Sequence, residues 1–106
     1  MPSNSISIAP LGAPAAPTNL VATSWPYGPG KATLSWTDNA NNETGMSIER
    51  SSDGVNFAET ASYSGINSAS FFDSNLVSGT TYWYRVRALG LGSKSDYSNT
   101  ARVVAP

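Results

Sequence analysis

The stretch Leu76-Val77-Ser78-Gly79-Thr80-Thr81-Tyr82-Trp83-Tyr84-Arg85-Val86-Arg87-Ala88 decides the fold of this chain. After Gly79, which permits a tight turn, apolar residues alternate with Trp83, Arg85 and Arg87, the period typical of a half-buried β-strand. The spacing of Leu76 and Tyr82 predicts a corner in which the tyrosine hydroxyl bonds a backbone group just upstream. The predicted inward face of this strand comprises Tyr82, Tyr84, Val86 and Ala88.

Similar short alternating segments flank this stretch on both sides. Strands are predicted within residues 19–23, 31–37, 46–49, 70–72 and 97–103. The dipeptide Asp53-Gly54 is the strongest hairpin signal in the chain. No segment keeps apolar residues at helical spacing over about 10 residues, so no substantial helix is expected. About seven short strands predict an all-β protein, a two-sheet antiparallel β-sandwich.

The first 16 residues differ in character from the rest. Residues 1–16 are rich in alanine and proline, which favours a stiff, extended linker with little apolar surface to bury. The alternating pattern starts after Pro17. The sequence therefore predicts a linker over residues 1–16 and one domain over residues 17–106.

The composition argues against several classes of function. Six Lys and Arg residues against seven Asp and Glu residues give a net charge of −1, which is unsuited to binding nucleic acid or an anionic membrane. The chain contains no histidine and no cysteine, so the commonest general base and the commonest soft metal ligands are missing. We expect no cofactor, no metal site and no catalytic residue.

The seven carboxylates do not suggest an active site either. Hydrolysis of a polysaccharide needs two carboxylates facing each other across a cleft, whereas the strand pattern assigns Asp38, Glu43 and Asp53 to turns and Glu49 to an outward face beside Arg85 or Arg87. The segment 38–43 is rich in oxygen donors, but it lacks the ligand order of a helix-flanked calcium loop. Turn formation by Asx side chains explains it better.

Four segments resemble the fibronectin type III family. They are Pro17-Thr18-Asn19-Leu20, Leu34-Ser35-Trp36, Gly45-Met46-Ser47-Ile48-Glu49-Arg50-Ser51 and the stretch from Leu76 to Ala88. The resemblance implies an immunoglobulin-like sandwich with Trp36 at the centre of the core. The segments around Trp36 and Glu49 are similar to modules of secreted bacterial polymer-degrading enzymes and surface proteins. Met46 departs from the family, which more often has an aromatic residue there, and the loop at 90–92 carries no Arg-Gly-Asp tripeptide.

Two functions follow from this resemblance as expectations. The first is a non-catalytic spacer or interaction module, secreted or at the cell surface, whose partners are the adjacent domains of a larger bacterial protein and which is a monomer in isolation. The alternative is an accessory module that binds polysaccharide through exposed aromatic side chains. The candidate ligand or partner surface comprises Trp83, Arg85, Arg87, Trp25, Tyr27 and Phe72. We expect the guanidinium groups of Arg85 and Arg87 to cover the indole of Trp83.

Overall fold

Seven β-strands make up the regular structure of the described residues. A computed structural model describes residues 14–64 and 69–106. The strands are β1 (Thr18–Ser24), β2 (Ala32–Thr37), β3 (Gly45–Ser51), β4 (Ala58–Ser64), β5 (Ser70–Asp73), β6 (Thr81–Leu89) and β7 (Ala101–Val104). The described ranges contain no helix that is long and apolar enough to cross a membrane.

The strands form two antiparallel sheets. One has three strands in the order β1-β2-β5, and the other has four in the order β4-β3-β6-β7. This arrangement confirms the predicted all-β sandwich. The strand spacing of roughly 4.8 Å within each sheet sets the distances between side chains on its outer face.

The inward faces of both sheets form one hydrophobic core. Burial alternates residue by residue along β2 and β6, as their sequences predict. Trp36 is 6% exposed, and Tyr84, Leu34, Ile48 and Val86 are fully buried around it. Burying large aromatic and aliphatic side chains is the main stabilising contribution to a domain of this size.

The predicted tyrosine corner is present. The backbone N–H of Val77 donates a hydrogen bond of 2.9 Å to the hydroxyl oxygen of Tyr82. Both Tyr82 and Leu76 are buried. The turn into β6 is therefore stabilised by Tyr82, whose ring is buried and whose hydroxyl group is hydrogen-bonded to the backbone.

One polar contact ties the two sheets together through the core. Asp73 of β5 is 5% exposed. Its Oδ2 accepts hydrogen bonds of 2.6 Å from the Tyr84 hydroxyl and 2.8 Å from Arg50 Nη1, both of which belong to the four-stranded sheet. Burial, and then the hydrogen bond to Asp73, raises the pKa of Tyr84, so this hydroxyl stays protonated as a donor.

Two parts of the sequence prediction differ from the structure. Strand β4 was not predicted, because Ala58–Ser64 reads Ala-Glu-Thr-Ala-Ser-Tyr-Ser, whose small and polar residues give little alternation. β7 begins only at Ala101, so Tyr97 and Asn99 precede the strand to which the sequence assigned them. Their side chains take part in hydrogen bonds that tie other strands together.

Most of the predicted linker lies outside the described residues, which begin at Pro14. Pro14 and Pro17 are both buried. The Asn39 side-chain amide donates hydrogen bonds to the Ala16 carbonyl, at 3.0 Å, and to the Thr18 hydroxyl, at 2.9 Å. Residues 14–17 therefore pack against the loop that follows β2.

Candidate functional site

The six candidate residues fall into two groups on opposite faces of the sandwich. Trp83, Arg85 and Arg87 lie on the outer face of the four-stranded sheet, since they alternate with the buried residues of β6. Trp25, Tyr27 and Phe72 lie at one end of the three-stranded sheet, where they contact one another. The candidates therefore form two surfaces.

On the four-stranded sheet, Arg85 is held by a carboxylate and two rings. Its Nε and Nη2 atoms lie 2.8 Å and 2.7 Å from Glu49 Oε1. Its guanidinium carbon lies 3.7 Å from the ring centroid of Tyr97 and 4.3 Å from that of Phe57. This arrangement combines charge-assisted hydrogen bonds with cation–π contacts to two rings.

Glu49 is the centre of this cluster. Its Oε2 accepts a 2.7 Å hydrogen bond from the Tyr97 hydroxyl and lies 3.9 Å from Arg87 Nη2. Burial raises the pKa of Glu49, but the hydrogen bonds from Tyr97 and Arg85 and the charges of both arginines outweigh it and hold the pKa below its ordinary value. Glu49 is therefore ionised at neutral pH, and both of its carboxylate oxygens accept hydrogen bonds within the cluster.

A glycine turn covers Trp83, where the sequence predicted arginine side chains. Gly54 has φ of 79°, and a Cβ atom at this position would lie 3.2 Å from the indole ring of Trp83. Glycine permits both the left-handed backbone and this close approach. The guanidinium groups of Arg85 and Arg87 lie instead over Tyr97, at 3.7 Å and 4.5 Å from its centroid.

The turn over Trp83 is fixed by Ser51 and Asp53. The Ser51 hydroxyl donates to Asp53 Oδ1 at 2.7 Å and accepts from the Gly54 N–H at 2.9 Å. Asp53 also accepts hydrogen bonds from the N–H groups of Val55 and Asn56, which lower its pKa. This hairpin connection is longer than the tight turn that the Asp-Gly dipeptide predicted, since it spans residues 52–57 between β3 and β4.

The second surface is a cluster of three aromatic rings, Trp25, Tyr27 and Phe72. The centroid of the Trp25 ring lies 5.4 Å from that of Tyr27 and 5.1 Å from that of Phe72. The planes are inclined at 75° and 83°, so the rings meet edge to face. Tyr27 is 83% exposed and Phe72 is 47% exposed.

Asp38 and Asp53 act in turns, whereas Glu49 and Asp73 form ion pairs. Asp38 Oδ1 accepts a 3.0 Å hydrogen bond from the Ala40 N–H, as the Asx-turn interpretation predicts. Burial, and then a hydrogen bond shared with Glu43, raises the pKa of Asp38. Within residues 14–64 and 69–106, no group of three carboxylate, imidazole or thiol side chains is arranged to hold a metal ion.

A shallow depression lies beside the loop that follows β6. It is lined by Thr44, Leu89, Gly90, Gly92, Ser93 and Lys94. The lining offers one ammonium group and two hydroxyl groups but no carboxylate. It lacks the paired acid and base that hydrolysis of a glycosidic bond requires.

The chain is similar to short segments of two known proteins. No protein-family model matches the chain. It is 40% identical over 93 residues to an amylopullulanase from Thermoanaerobacterium thermosulfurigenes, covering 86% of this chain. It is 39% identical over 90 residues to an amylopullulanase from Thermoanaerobacterium saccharolyticum, covering 83% of this chain. The chain spans only 5% and 7% of the length of these relatives.

The fold also matches solved structures. An Fn3-like protein from Clostridium thermocellum shares 29% identity and a TM-score of 0.73, over 88% of this chain and 94% of that chain. The sixth fibronectin type III domain of a human protein shares 21% identity and a TM-score of 0.67, over 96% of this chain and 91% of that chain. Together with the tyrosine corner and the two-sheet core, these likenesses show that the chain has the fold of fibronectin type III domains.

Proposed function

We propose that this domain is a non-catalytic spacer that sets the separation and orientation of its neighbours in a larger, secreted bacterial protein. The observation that carries this proposal is the position of the first and last residues of the described fold. On the N-terminal side, Ala16 contacts Asn39 in the loop after β2. On the C-terminal side, the Pro106 carbonyl accepts a 2.9 Å hydrogen bond from Gly30, in the turn before β2. The chain enters at one end of β2 and leaves at the other.

A spacer of this kind fixes the distance between its neighbours because a β-strand separates the points at which the chain enters and leaves it. Six residues of β2 span about 20 Å. The sheets on either side of the core are tied by the contact of Asp73 with Arg50 and Tyr84. A folded module therefore imposes a fixed offset, whereas a flexible linker of equal length samples a broad range of distances.

The segment that leads into the C-terminal strand is tied to the N-terminal strand by one side chain. Asn99 Oδ1 accepts a 2.8 Å hydrogen bond from the Leu20 N–H, and Asn99 Nδ2 donates a 3.0 Å hydrogen bond to the Leu20 carbonyl. These two bonds join positions 79 residues apart in the sequence. They support the proposal because they hold the entering and leaving segments of the chain to the same body.

The relatives suggest the setting of the parent protein. Both are amylopullulanases of which a segment like this chain forms a small part. We infer that the parent protein acts on a polysaccharide outside the cell and that this domain positions the parts that bind or cleave it. The adjacent domains are then its direct partners.

A distance measurement between two flanking fluorophores tests the spacer role. The domain is placed between a donor and an acceptor fluorescent protein, and a glycine-serine segment of equal residue number replaces it in the control. We expect a narrower distribution of transfer efficiencies for the domain than for the control. A distribution as broad as that of the flexible segment would contradict the proposal. The variant Trp36→Ala, which loses its central core residue, is expected to resemble the flexible control.

A further inference from the structure

The outer face of the three-stranded sheet differs chemically from every other strand surface described. Its outward-facing residues, which we call the neutral face, are Val21, Thr23, Thr33, Ser35, Thr37, Ser70 and Phe72. None of them is charged. Asp73, the one charged residue within β1, β2 and β5, points into the core and is 5% exposed.

The opposite sheet shows the contrast. Its outer face carries Glu49, Glu59, Arg85, Arg87 and Arg102, and the first of these is paired with two of the arginines. Among the residues of the seven strands, the outward-facing charged side chains therefore all lie on the four-stranded sheet. A surface of hydroxyl groups and rings without charge suits a ligand that is itself polar and uncharged.

The neutral face also presents its groups in rows. Thr23 pairs with Thr33, which pairs with Phe72, so two hydroxyl side chains and one ring lie side by side across the three strands. Neighbours in such a row are roughly 4.8 Å apart. At the end of the sheet, Trp25 contacts Phe72 and Tyr27, so the row leads into the ring cluster. The Lys31 ammonium group lies beside this cluster, close to Gly28.

We infer that the neutral face and the Trp25–Tyr27–Phe72 cluster bind a single chain of a neutral polysaccharide. The apolar C–H surface of a sugar ring packs on an aromatic ring, and its hydroxyl groups exchange hydrogen bonds with threonine and serine side chains. An anionic polymer gains little from a face with one lysine at its border. Protein interfaces are enriched in arginine and methionine as well as in aromatic residues, and this face has neither arginine nor methionine. A neutral glucan is the first choice of ligand because of the proposed function, on which that choice rests.

The ring angles specify the physical form of the ligand. A crystalline polysaccharide presents a flat surface, which only coplanar rings contact together. The rings of this cluster are inclined at 75° and 83° to Trp25. The three rings therefore do not form one flat platform, which favours a hydrated, curved chain such as pullulan or amylopectin over microcrystalline cellulose.

Affinity electrophoresis tests this inference in native gels with and without dissolved pullulan or amylopectin. The wild type is expected to be retarded by one or both glucans and to stay in the supernatant with microcrystalline cellulose. Tyr27→Ala and Phe72→Ala each remove an exposed ring without opening the core, and each is expected to weaken binding by about tenfold or more, as loss of an anchor residue does. Leu91→Ala, which removes an equally exposed apolar side chain elsewhere, serves as the control and leaves retardation unchanged.

Several results would overturn the inference. They are unaltered migration of the wild type in both glucans, retention of binding by the double variant of Tyr27 and Phe72, or binding to crystalline cellulose. Self-association of the wild type that the same double variant abolishes would show that the face pairs two copies of the chain instead. Because these ring variants leave the folded span between the chain ends intact, the fluorescence measurement separates failure of binding from failure of the spacer role.

Discussion

The hydroxyl group of Tyr82 is a single-atom contact that positions the turn before β6. The Tyr82 ring is buried, while its oxygen accepts the 2.9 Å hydrogen bond from the Val77 N–H. In the turn before β6, Leu76 packs into the core, whereas the Val77 side chain is 65% exposed. The hydroxyl therefore fixes the backbone at Val77, a position that its own side chain does not anchor.

Replacing Tyr82 by phenylalanine tests this role. Tyr82→Phe keeps the buried ring but leaves the Val77 N–H without its partner, so we expect a loss of about 1 to 3 kcal/mol in the free energy of unfolding. Chemical denaturation followed by tryptophan fluorescence measures it. Tyr27→Phe is the matched control, because the phenol of Tyr27 is on a side chain that is 83% exposed and its removal should change stability little. Equal stability of Tyr82→Phe and wild type would show that the corner bond contributes nothing.

At the scale of the strands, the sequence predicts the elements that have one apolar face. β2 and β6 were predicted because each alternates large apolar residues with polar ones, and burial follows the same alternation. β4 escaped prediction because it is an edge strand of small and polar residues whose position depends on pairing with β3. Such pairing is set by tertiary context, which a single segment does not contain.

The sequence also predicted some features of the candidate surfaces and missed others. The outward positions of Arg85 and Trp83 follow from alternation along β6, and the pairing of Glu49 with arginine was predicted from it. The contact of Tyr97 with Arg85 was not predicted, because Tyr97 lies in a segment without regular structure. The separation of the six candidate residues onto two faces likewise depends on which sheet each strand joins.

A single substitution of Asn99 tests how strongly its hydrogen bonds to Leu20 hold β1 in place. Asn99→Ala removes the partners of both the N–H and the carbonyl of Leu20, and we expect a loss of about 1 to 3 kcal/mol in the free energy of unfolding. Hydrogen exchange at the Leu20 amide should accelerate more than exchange at the amides of β3. Asn42→Ala, at an exposed position in the loop before β3, is the control. Unchanged protection at Leu20 would mean that backbone pairing alone holds β1.

At the scale of the whole molecule, the two outer faces differ in their side-chain contacts. On the four-stranded sheet, Glu49 bonds Arg85 and Tyr97, and the Gly54 turn lies over Trp83. On the three-stranded sheet, Phe72 and the neighbouring Tyr27 are exposed. A spacer needs only the first kind of face. The second kind is what motivates the inference that the domain also contacts a ligand.

The extent of the folded unit is tested by shortening the chain from its N-terminus. A chain that starts at Pro14 keeps both buried prolines and the hydrogen bonds of Asn39, so we expect the same free energy of unfolding as for the full chain. A chain that starts at Thr18 loses the apolar contacts of Pro14 and Pro17 and the Ala16 carbonyl that accepts from Asn39. It should be less stable by about 1 to 2 kcal/mol. Denaturation of the three chains under identical conditions measures the difference. Equal stability of all three would place the boundary at residue 17, as the sequence predicts, whereas a loss already at Pro14 would show that residues 1–13 contribute to the fold.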